Sequence, residues 1–341
     1  MALVQGSSSA QEANERTQGP RSLYLQMRAW GINALNHGSS LAVFENAKLR
    51  HWQFCSEDEL DRDLIKRFIA NGGPDTVFWY ENPWVKKTRQ LYAGQYATAL
   101  DRSVLPSKYL KRTGLGYAQL RYTPHHGSHA ASGYFTSPFN HAAIVVLDAI
   151  GEWDCASIWE AKHGEMRKLW STRYPNSLGL LYSAFTKLVG LEPIKQEHLF
   201  QQMSDNGDSD RYYTTVLDYM LPTIRSLKNL HRGVVDWPHA IETLQDQCDI
   251  AAAVQAVFER NIESVHQLAK KLTGADCLVY MGGCAMNSKA NKKIVEPMWR
   301  YRWSLPMPGD PSSAIGAVLY HTKQRVWDYS WDPVKHIEIN I

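Results

Sequence analysis

Cysteine is scarce in this sequence and poorly placed for cross-linking. Cys55, Cys155, Cys248, Cys277 and Cys284 are odd in number, and no two form a C-x-x-C pair. That spacing excludes a disulfide framework and a thiolate zinc site, and it fits buried free thiols in a reducing, cytoplasmic setting. No apolar run approaches the ~20 residues of a membrane-spanning helix, so no membrane partner is expected. Neither sign of charge dominates: the formal net charge is +3. Mild basicity permits a polyanionic partner such as DNA without demanding one. The first 26 residues have no apolar core of the kind a secretory signal needs, and their Ser, Gln and Glu content predicts a disordered extension over 1–26.

What is present is ordinary globular composition, 44% apolar and 21% charged, in a chain of 341 residues. That length accommodates two packed lobes, because single cores stop growing near ~250–300 residues. After Met27 the pattern predicts three antiparallel strands, Ala29 to Ala34, Ser40 to Glu45 and Leu49 to Phe54, with polar turns between them. A helix is expected over Glu57 to Ala70, stopped by Asn71-Gly72-Gly73, then a strand over Thr76 to Tyr80 and a long helical stretch. The run Ala142 to Leu147 (AAIVVL) reads as a strand buried on both faces, with a partner near Ala156 to Glu160. Helical periodicity returns over Asp249 to Leu272 and Ser312 to His321, flanking a short strand at Leu278 to Met281. Two strand-turn-strand starts, each followed by helices, predict a duplicated α/β architecture with a cleft between lobes. The expected divisions are a first lobe over 27–135, a second over 136–320 and a tail over 321–341.

Several residues could carry chemistry. His125 and His129 stand four apart, so on a helix their imidazoles share one face, suited to chelating one metal. The same spacing also suits hydrogen-bonded or surface histidines. Asp148 closes a buried strand and is either a positioned carboxylate or a turn residue before Gly151. Asp310, in Pro308-Gly309-Asp310-Pro311, is either a ligand or a helix N-cap. In LVYMGGCAMN (278–287) a buried strand meets Gly282-Gly283 before an expected helix start. Such glycines let a backbone approach a phosphate, or simply serve a turn. The segment is neither a Walker A loop nor G-x-G-x-x-G.

Order and spacing say more than these features singly. WGINALNHGSSLAVFE, WYENPWVKKTR, HHGSHAASGYFTSPFNHAAIVVLDAIGEW, NSLGLLYSAFTKLVGLEP, DIAAAVQAVFERNIESVHQLAKKLTG, LVYMGGCAMNSKANKKI and LPMPGDPSSAIGAVLY follow one another from Met27 to about Tyr320. In these seven blocks the chain resembles the O-carbamoyltransferases of nodulation-factor and aminoglycoside-antibiotic synthesis. More distantly it is similar to the hydrogenase-maturation carbamoyltransferase and the universal tRNA threonylcarbamoyl-transfer protein. The resemblance implies the duplicated actin-like ATPase fold, with an active site in the interlobe cleft. It implies a divalent transition metal, iron first and zinc or manganese next, held by His125, His129, Asp148 and Asp310. It implies His37 beside the transferred group, and Gly282, Gly283 and Asn287 against an adenylate. The implied reaction moves a carbamoyl group from carbamoyl adenylate, made from carbamoyl phosphate and ATP, to an alcohol on a small metabolite, a sugar or a modified nucleotide, including hydroxymethylated pyrimidines in DNA.

Departures from the family pattern are local. Gly38 follows His37 where an acid is usual, His198 to Met203 replaces a lysine-methionine-glycine stretch, and Ser312 replaces a glycine. The family's adenylate-forming domain has no counterpart here, which leads to the expectation that a separate adenylate-forming protein supplies the donor. The rival class is a non-catalytic nucleotide-binding subunit of a carbamoylation complex. A sugar kinase of the same superfold is disfavoured by the histidine pair, because magnesium sites prefer carboxylates and water.

Overall fold

The computed structural model describes residues 27–220, 230–326 and 337–340. The expected extension over 1–26 lies outside the described residues. The first three strands fall where alternation places them: β1 (Arg28–Asn36), β2 (Gly38–Glu45) and β3 (Lys48–Cys55). The following helix, α1 (Arg62–Ala70), starts later than expected because the Asp61 side chain caps it, accepting from the Asp63 N–H. Leu60, ahead of that cap, joins the core as a buried loop residue instead of a helical one. Then come β4 (Thr76–Trp79), three short helices α2 (Pro83–Tyr92), α3 (Tyr96–Leu100) and α4 (Pro106–Arg112), and β5 (Gln119–Tyr122). The long helical stretch is therefore broken in two places. Gly94 takes a φ of +74°, and Pro106 starts a new helix capped at Leu105.

The second half runs α5 (His125–Thr136), β6 (His141–Gly151), β7 (Asp154–Lys162), β8 (Glu165–Arg173), α6 (Leu178–Leu188), α7 (Glu197–Met203), α8 (Tyr213–Met220) and α9 (Leu244–Thr273). It closes with β9 (Cys277–Met281), β10 (Tyr301–Trp303), α10 (Asp310–Thr322) and β11 (Ile337–Asn340). Within the expected tail, β11 pairs in parallel with β3 and extends the first sheet.

Both sheets repeat one plan. The first has the order β11-β3-β2-β1-β4-β5 and the second β10-β9-β6-β7-β8. In each, the first three strands form an antiparallel meander, and two later strands add in parallel on the other side of the leading strand. The protein is thus a mixed α/β structure with two sheets of matching five-strand topology.

Helices α5 and α10 lie between the sheets. Ala130, Ala131, Tyr134 and Phe135 of α5 and Ala314, Ile315, Val318 and Leu319 of α10 share one core with Trp30 and Ile32 of β1 and with Ile144 and Val146 of β6. By sequence order α10 belongs to the second lobe, yet it packs onto the first sheet. The two helices approach so closely that a Cβ on Gly316 would come within 1.7 Å of the Ser128 carbonyl oxygen. A Cβ on Gly31 of β1 would come within 1.8 Å of the Ala314 carbonyl oxygen. Small residues at this crossing bring the N-terminus of α10 against that of α5.

Candidate metal centre

Three segments meet at that crossing. The first turn of α5 presents His125 and His129, one helical turn apart and both buried. The first residue of α10 is Asp310, with Gly309 as the cap, so the carboxylate is not an N-cap and is free to point across to α5. Asp148 lies within β6, where pairing with β7 slips between Leu147 and Gly151. Such an irregularity re-aims side chains. Here Asp148 Oδ2 faces the histidines while Oδ1 accepts from the Ala149 N–H at 2.7 Å.

The resulting cluster is tight. His125 Nε2 stands 3.0 Å from Asp148 Oδ2 and 3.3 Å from Asp310 Oδ1. His129 Nε2 stands 3.4 Å from the first of these oxygens, 3.3 Å from the second and 3.1 Å from His125 Nε2. All four ligand atoms lie within 4.8 Å of one another. Four donors ~2.1 Å from one first-row ion would stand roughly 3.0–3.4 Å apart at the cis or tetrahedral edges, which matches the five distances that involve a histidine nitrogen. The donor chemistry agrees as well. Asp310 Oδ1 is buried and makes no sound hydrogen bond despite two imidazole nitrogens at 3.3 Å, as expected of atoms arranged around a cation. The residues present therefore fit a divalent transition metal with mixed nitrogen and oxygen ligation.

Charge in the cluster is mutually compensating. Burial works against a charged His125, but Asp310 and Asp148 outweigh it and hold its pKa well above the usual imidazole value. His129 is raised against burial by the nearness of the same two carboxylates. Burial would raise Asp148, yet its hydrogen bonds to His125 and His129 hold it well below the ordinary carboxylate range. Asp310 is likewise low, with His125 the main opponent of its burial.

Several neighbours escape sequence reasoning because only tertiary contacts reveal them. Glu81 is buried, with Oε2 3.9 Å from His125 Nδ1 and Oε1 accepting from Lys86 Nζ at 2.7 Å. At 3.9 Å the carboxylate stands behind the ring without a hydrogen bond to it. Asn36 Nδ2 donates to Asp310 Oδ2 at 3.3 Å, tying the β1–β2 hairpin to the cluster. Glu152, at the β6–β7 turn, accepts from the Asn82 N–H at 2.5 Å, and burial pushes its carboxyl up to about 7.

The other expected site residues divide into two groups. Gly282 and Gly283 border the cluster: a Cβ on Gly283 would lie 3.2 Å from Asp148 Oδ1, and Gly309 packs against Gly283. After Gly283 comes a 3₁₀ turn (Gly283–Met286), and then a helical stretch over 288–298, π-helical at Asn291–Val295 and N-capped by the Asn287 side chain. The expected helix therefore begins at Ser288, after the 3₁₀ turn, and not directly after Gly283. Asn287 faces away into a protein network: Oδ1 accepts from the Ala290 N–H at 2.9 Å and Nδ2 donates to Gln255 Oε1 at 3.0 Å. The Gln201 side-chain amide, from the departing His198–Met203 stretch, lies 2.7 Å from Asn287 Oδ1. His37 is exposed at the hairpin tip, next to Asn36 but without a recorded contact to the cluster.

A two-sheet α/β protein with a buried His-His-Asp-Asp centre at the crossing of two inter-sheet helices is the class that fold and site define. The chain belongs to the carbamoyltransferase N-terminus family, whose model matches residues 23–319. It is 31% identical over 223 residues to the uncharacterized protein sll1178 of Synechocystis, covering 59% of this chain and 36% of that one. It is 25% identical over 244 residues to the nodulation protein NolNO of Sinorhizobium fredii, covering 63% of this chain and 34% of that one. The chain thus spans about a third of the length of the curated relatives it matches. A crystal structure of full-length HypF in the phosphate- and nucleotide-bound form superposes with a TM-score of 0.47 at 10% identity, over 89% of this chain and 57% of that one. A likeness of that depth carries no assignment. Among the described residues, no helix is long and apolar enough to cross a membrane.

Proposed function

We propose that this chain is a metal-dependent O-carbamoyltransferase of the duplicated actin-like ATPase fold, moving a carbamoyl group from carbamoyl adenylate to an alcohol. The observation that carries the reading is the convergence of His125, His129, Asp148 and Asp310, from three separate segments, within 4.8 Å. Matching strand order in the two sheets supports the duplicated fold.

His125, His129, Asp148 and Asp310 would hold a divalent first-row metal, iron being the first expectation. Such an ion, when bound, supplies Lewis acidity toward a carbonyl oxygen. Gly283 and Gly309 leave backbone room beside Asp148 for the adenylate phosphate, Gly282 holds the turn that places them, and Asn287 stands on the far side of the turn. His37, on the hairpin that Asn36 ties to Asp310, takes the proton of the attacking alcohol as its oxygen bonds to the carbamoyl carbon. The carbamoyl–phosphate bond then breaks and AMP leaves with the bonding electrons. The acceptor is an alcohol on a small metabolite, a sugar or a hydroxymethylated pyrimidine in DNA. In this reading a separate adenylate-forming protein converts carbamoyl phosphate and ATP into the donor, and the setting is cytoplasmic.

The test is incubation with carbamoyl phosphate, ATP and a panel of alcohols, with and without an added adenylate-forming enzyme, scored by mass spectrometry for carbamoyl addition. Product should appear when that enzyme is present, fall at least ~100-fold in His129→Ala, and parallel metal content by elemental analysis. Equal metal and equal product in the variant would overturn the assignment.

A further inference from the structure

Arg89, in the last turn of α2, is a buried cation that the carbamoyl reading leaves unused. The residue is 6% exposed. A buried guanidinium is costly unless an anion or a full set of acceptors meets it. Here neither does. Nε donates to the Glu152 carbonyl oxygen at 3.1 Å, and Nη1 donates to Gln95 Oε1 at a long 3.4 Å. Of the five N–H groups a guanidinium carries, the other three have no partner among the described residues.

The nearby acids are committed elsewhere. Glu81, whose charge reaches Arg89, accepts from Lys86 Nζ at 2.7 Å through Oε1. The Glu152 carboxyl takes the Asn82 N–H. Among the described residues, no carboxylate pairs with Arg89. Its free edge is not sealed either, since no Arg89 nitrogen is among the buried atoms that lack both a partner and solvent. The ring of the buried Tyr174 steadies the guanidinium, with Cζ 5.8 Å from the ring centre. The result is a held, desolvated cation with its Nη1–Nη2 edge open, and such a fork fits two oxygens of one anion.

The neighbourhood is that of His37. Gln95 Nε2 lies 2.6 Å from His231 Nε2. The His231 pKa is lowered by burial first, and then by the charges of Arg89 and His37. Arg89 and His37 therefore both stand near this one imidazole. In the carbamoyl reading His37 serves the acceptor alcohol, while the donor phosphate goes to Gly283 and Gly309. An anion at Arg89 then falls to the acceptor.

We propose that Arg89, with Gln95 beside it, is a binding site for an oxyanion, phosphate or carboxylate, carried by the acceptor alcohol. The acceptor is then an anionic alcohol and not a neutral sugar. Its assignment to the acceptor rests on the carbamoyl reading, whereas the oxyanion site itself does not.

Calorimetric titration of the full chain with glycerol 3-phosphate, lactate and glycerol tests the site and needs neither metal nor donor. At least one anionic alcohol should bind saturably and glycerol at least ~10-fold more weakly, and the anion that binds names the group. Gln95→Glu puts a carboxylate beside Nη1, so it should keep or raise the melting midpoint while weakening the anion ~10-fold or more. Arg89→Gln should weaken the anion as much, and Gln95→Glu serves if that buried change fails to fold. No saturable binding at ~10 mM overturns the proposal, as does unchanged affinity in Gln95→Glu. Transfer assays on the same three alcohols, with the adenylate-forming enzyme added, test the assignment to the acceptor. Product should form from the bound anionic alcohol at least ~10-fold more efficiently than from glycerol, and equal efficiency overturns the assignment. Anion binding without product from any of the three also overturns it, and leaves the carbamoyl reading to the wider panel of alcohols.

Discussion

The metal cluster and the Gly282–Asn287 turn lie side by side, yet they satisfy their polar groups in opposite ways. Around the cluster, buried atoms are left in want: His125 Nδ1, His129 Nδ1, Asp310 Oδ1 and the Tyr80 hydroxyl have no hydrogen-bond partner, and partial burial raises the Glu152 carboxyl. Around the turn, Asn287 joins Gln255 and the Ala290 N–H, and Gln255 in turn joins Tyr182 and Glu259. A region that binds something keeps unmet donors and acceptors at a cost in stability, whereas a brace spends them internally. The turn can therefore serve a ligand mainly through the space its glycines leave.

The sharpest break in this comparison comes from the two glycines themselves. Gly282 has a φ of +93°, and a Cβ there would lie 2.2 Å from the Leu147 carbonyl oxygen. Gly282→Val should destabilise the fold by ~3 kcal/mol or more, from strain and overpacking together, so it cannot serve as a clean probe of nucleotide binding. Gly283 has no such φ, and its Cβ would meet only Asp148 Oδ1 at 3.2 Å. Gly283→Ala should cost less than ~1 kcal/mol while lowering metal occupancy or transfer. Denaturant unfolding of both variants, with elemental analysis of the second, checks the contrast. Equal stability losses would show that space, not backbone strain, governs both positions.

On the cluster side, Glu152 offers a pH-dependent test in metal-free protein. Burial raises its carboxyl from 4.5 to about 7, so the native state keeps a proton that the unfolded chain has lost between those values. Wild-type stability should fall as pH rises through that window and level off above it. Glu152→Gln keeps an oxygen for the Asn82 N–H and removes the charge. Allowing for partial exposure, it should be more stable than wild type by roughly 2 kcal/mol at pH 7.5, with the difference closing toward about pH 4. Parallel stability curves for the two proteins across pH 5–7.5 would show that solvent reaches the carboxylate.

How much of this was legible beforehand follows from the range of the interactions. Hairpin alternation, the AAIVVL strand and the α9 periodicity are local and were readable; so was the His125–His129 pair, because one helical turn separates them. Asp148 and Asp310 were candidates with open alternatives, and the family resemblance, not spacing, joined them to the histidines. β5 and β8 passed unseen, as partly exposed strands without clean alternation. Glu81, Asn36 and Glu152 were invisible for a different reason. Each meets the cluster only through the packing of one sheet's loops on the other's, and no sequence period encodes that contact.

The smallest expected effect tests whether the turn is only a brace. Asn287→Ala removes the cap on the Ala290 N–H and leaves Gln255 Oε1 without one of its donors, though Tyr182 still donates to it at 3.0 Å. The loss of a cap and of a neutral hydrogen bond should cost about 1–2 kcal/mol, a shift of a few degrees in the melting midpoint. The protein should stay folded, because the Gln255–Glu259 and Tyr182–Gln255 bonds do not pass through Asn287. Calorimetric titration of that folded variant with a non-hydrolysable adenylate analogue then separates two roles for one side chain. A ~10-fold weaker analogue is expected if Asn287 reaches the adenylate in addition to bracing the turn. Unchanged affinity alongside the stability loss would confine Asn287 to the brace and leave the adenylate to Gly283, whose contribution is space that no side chain fills.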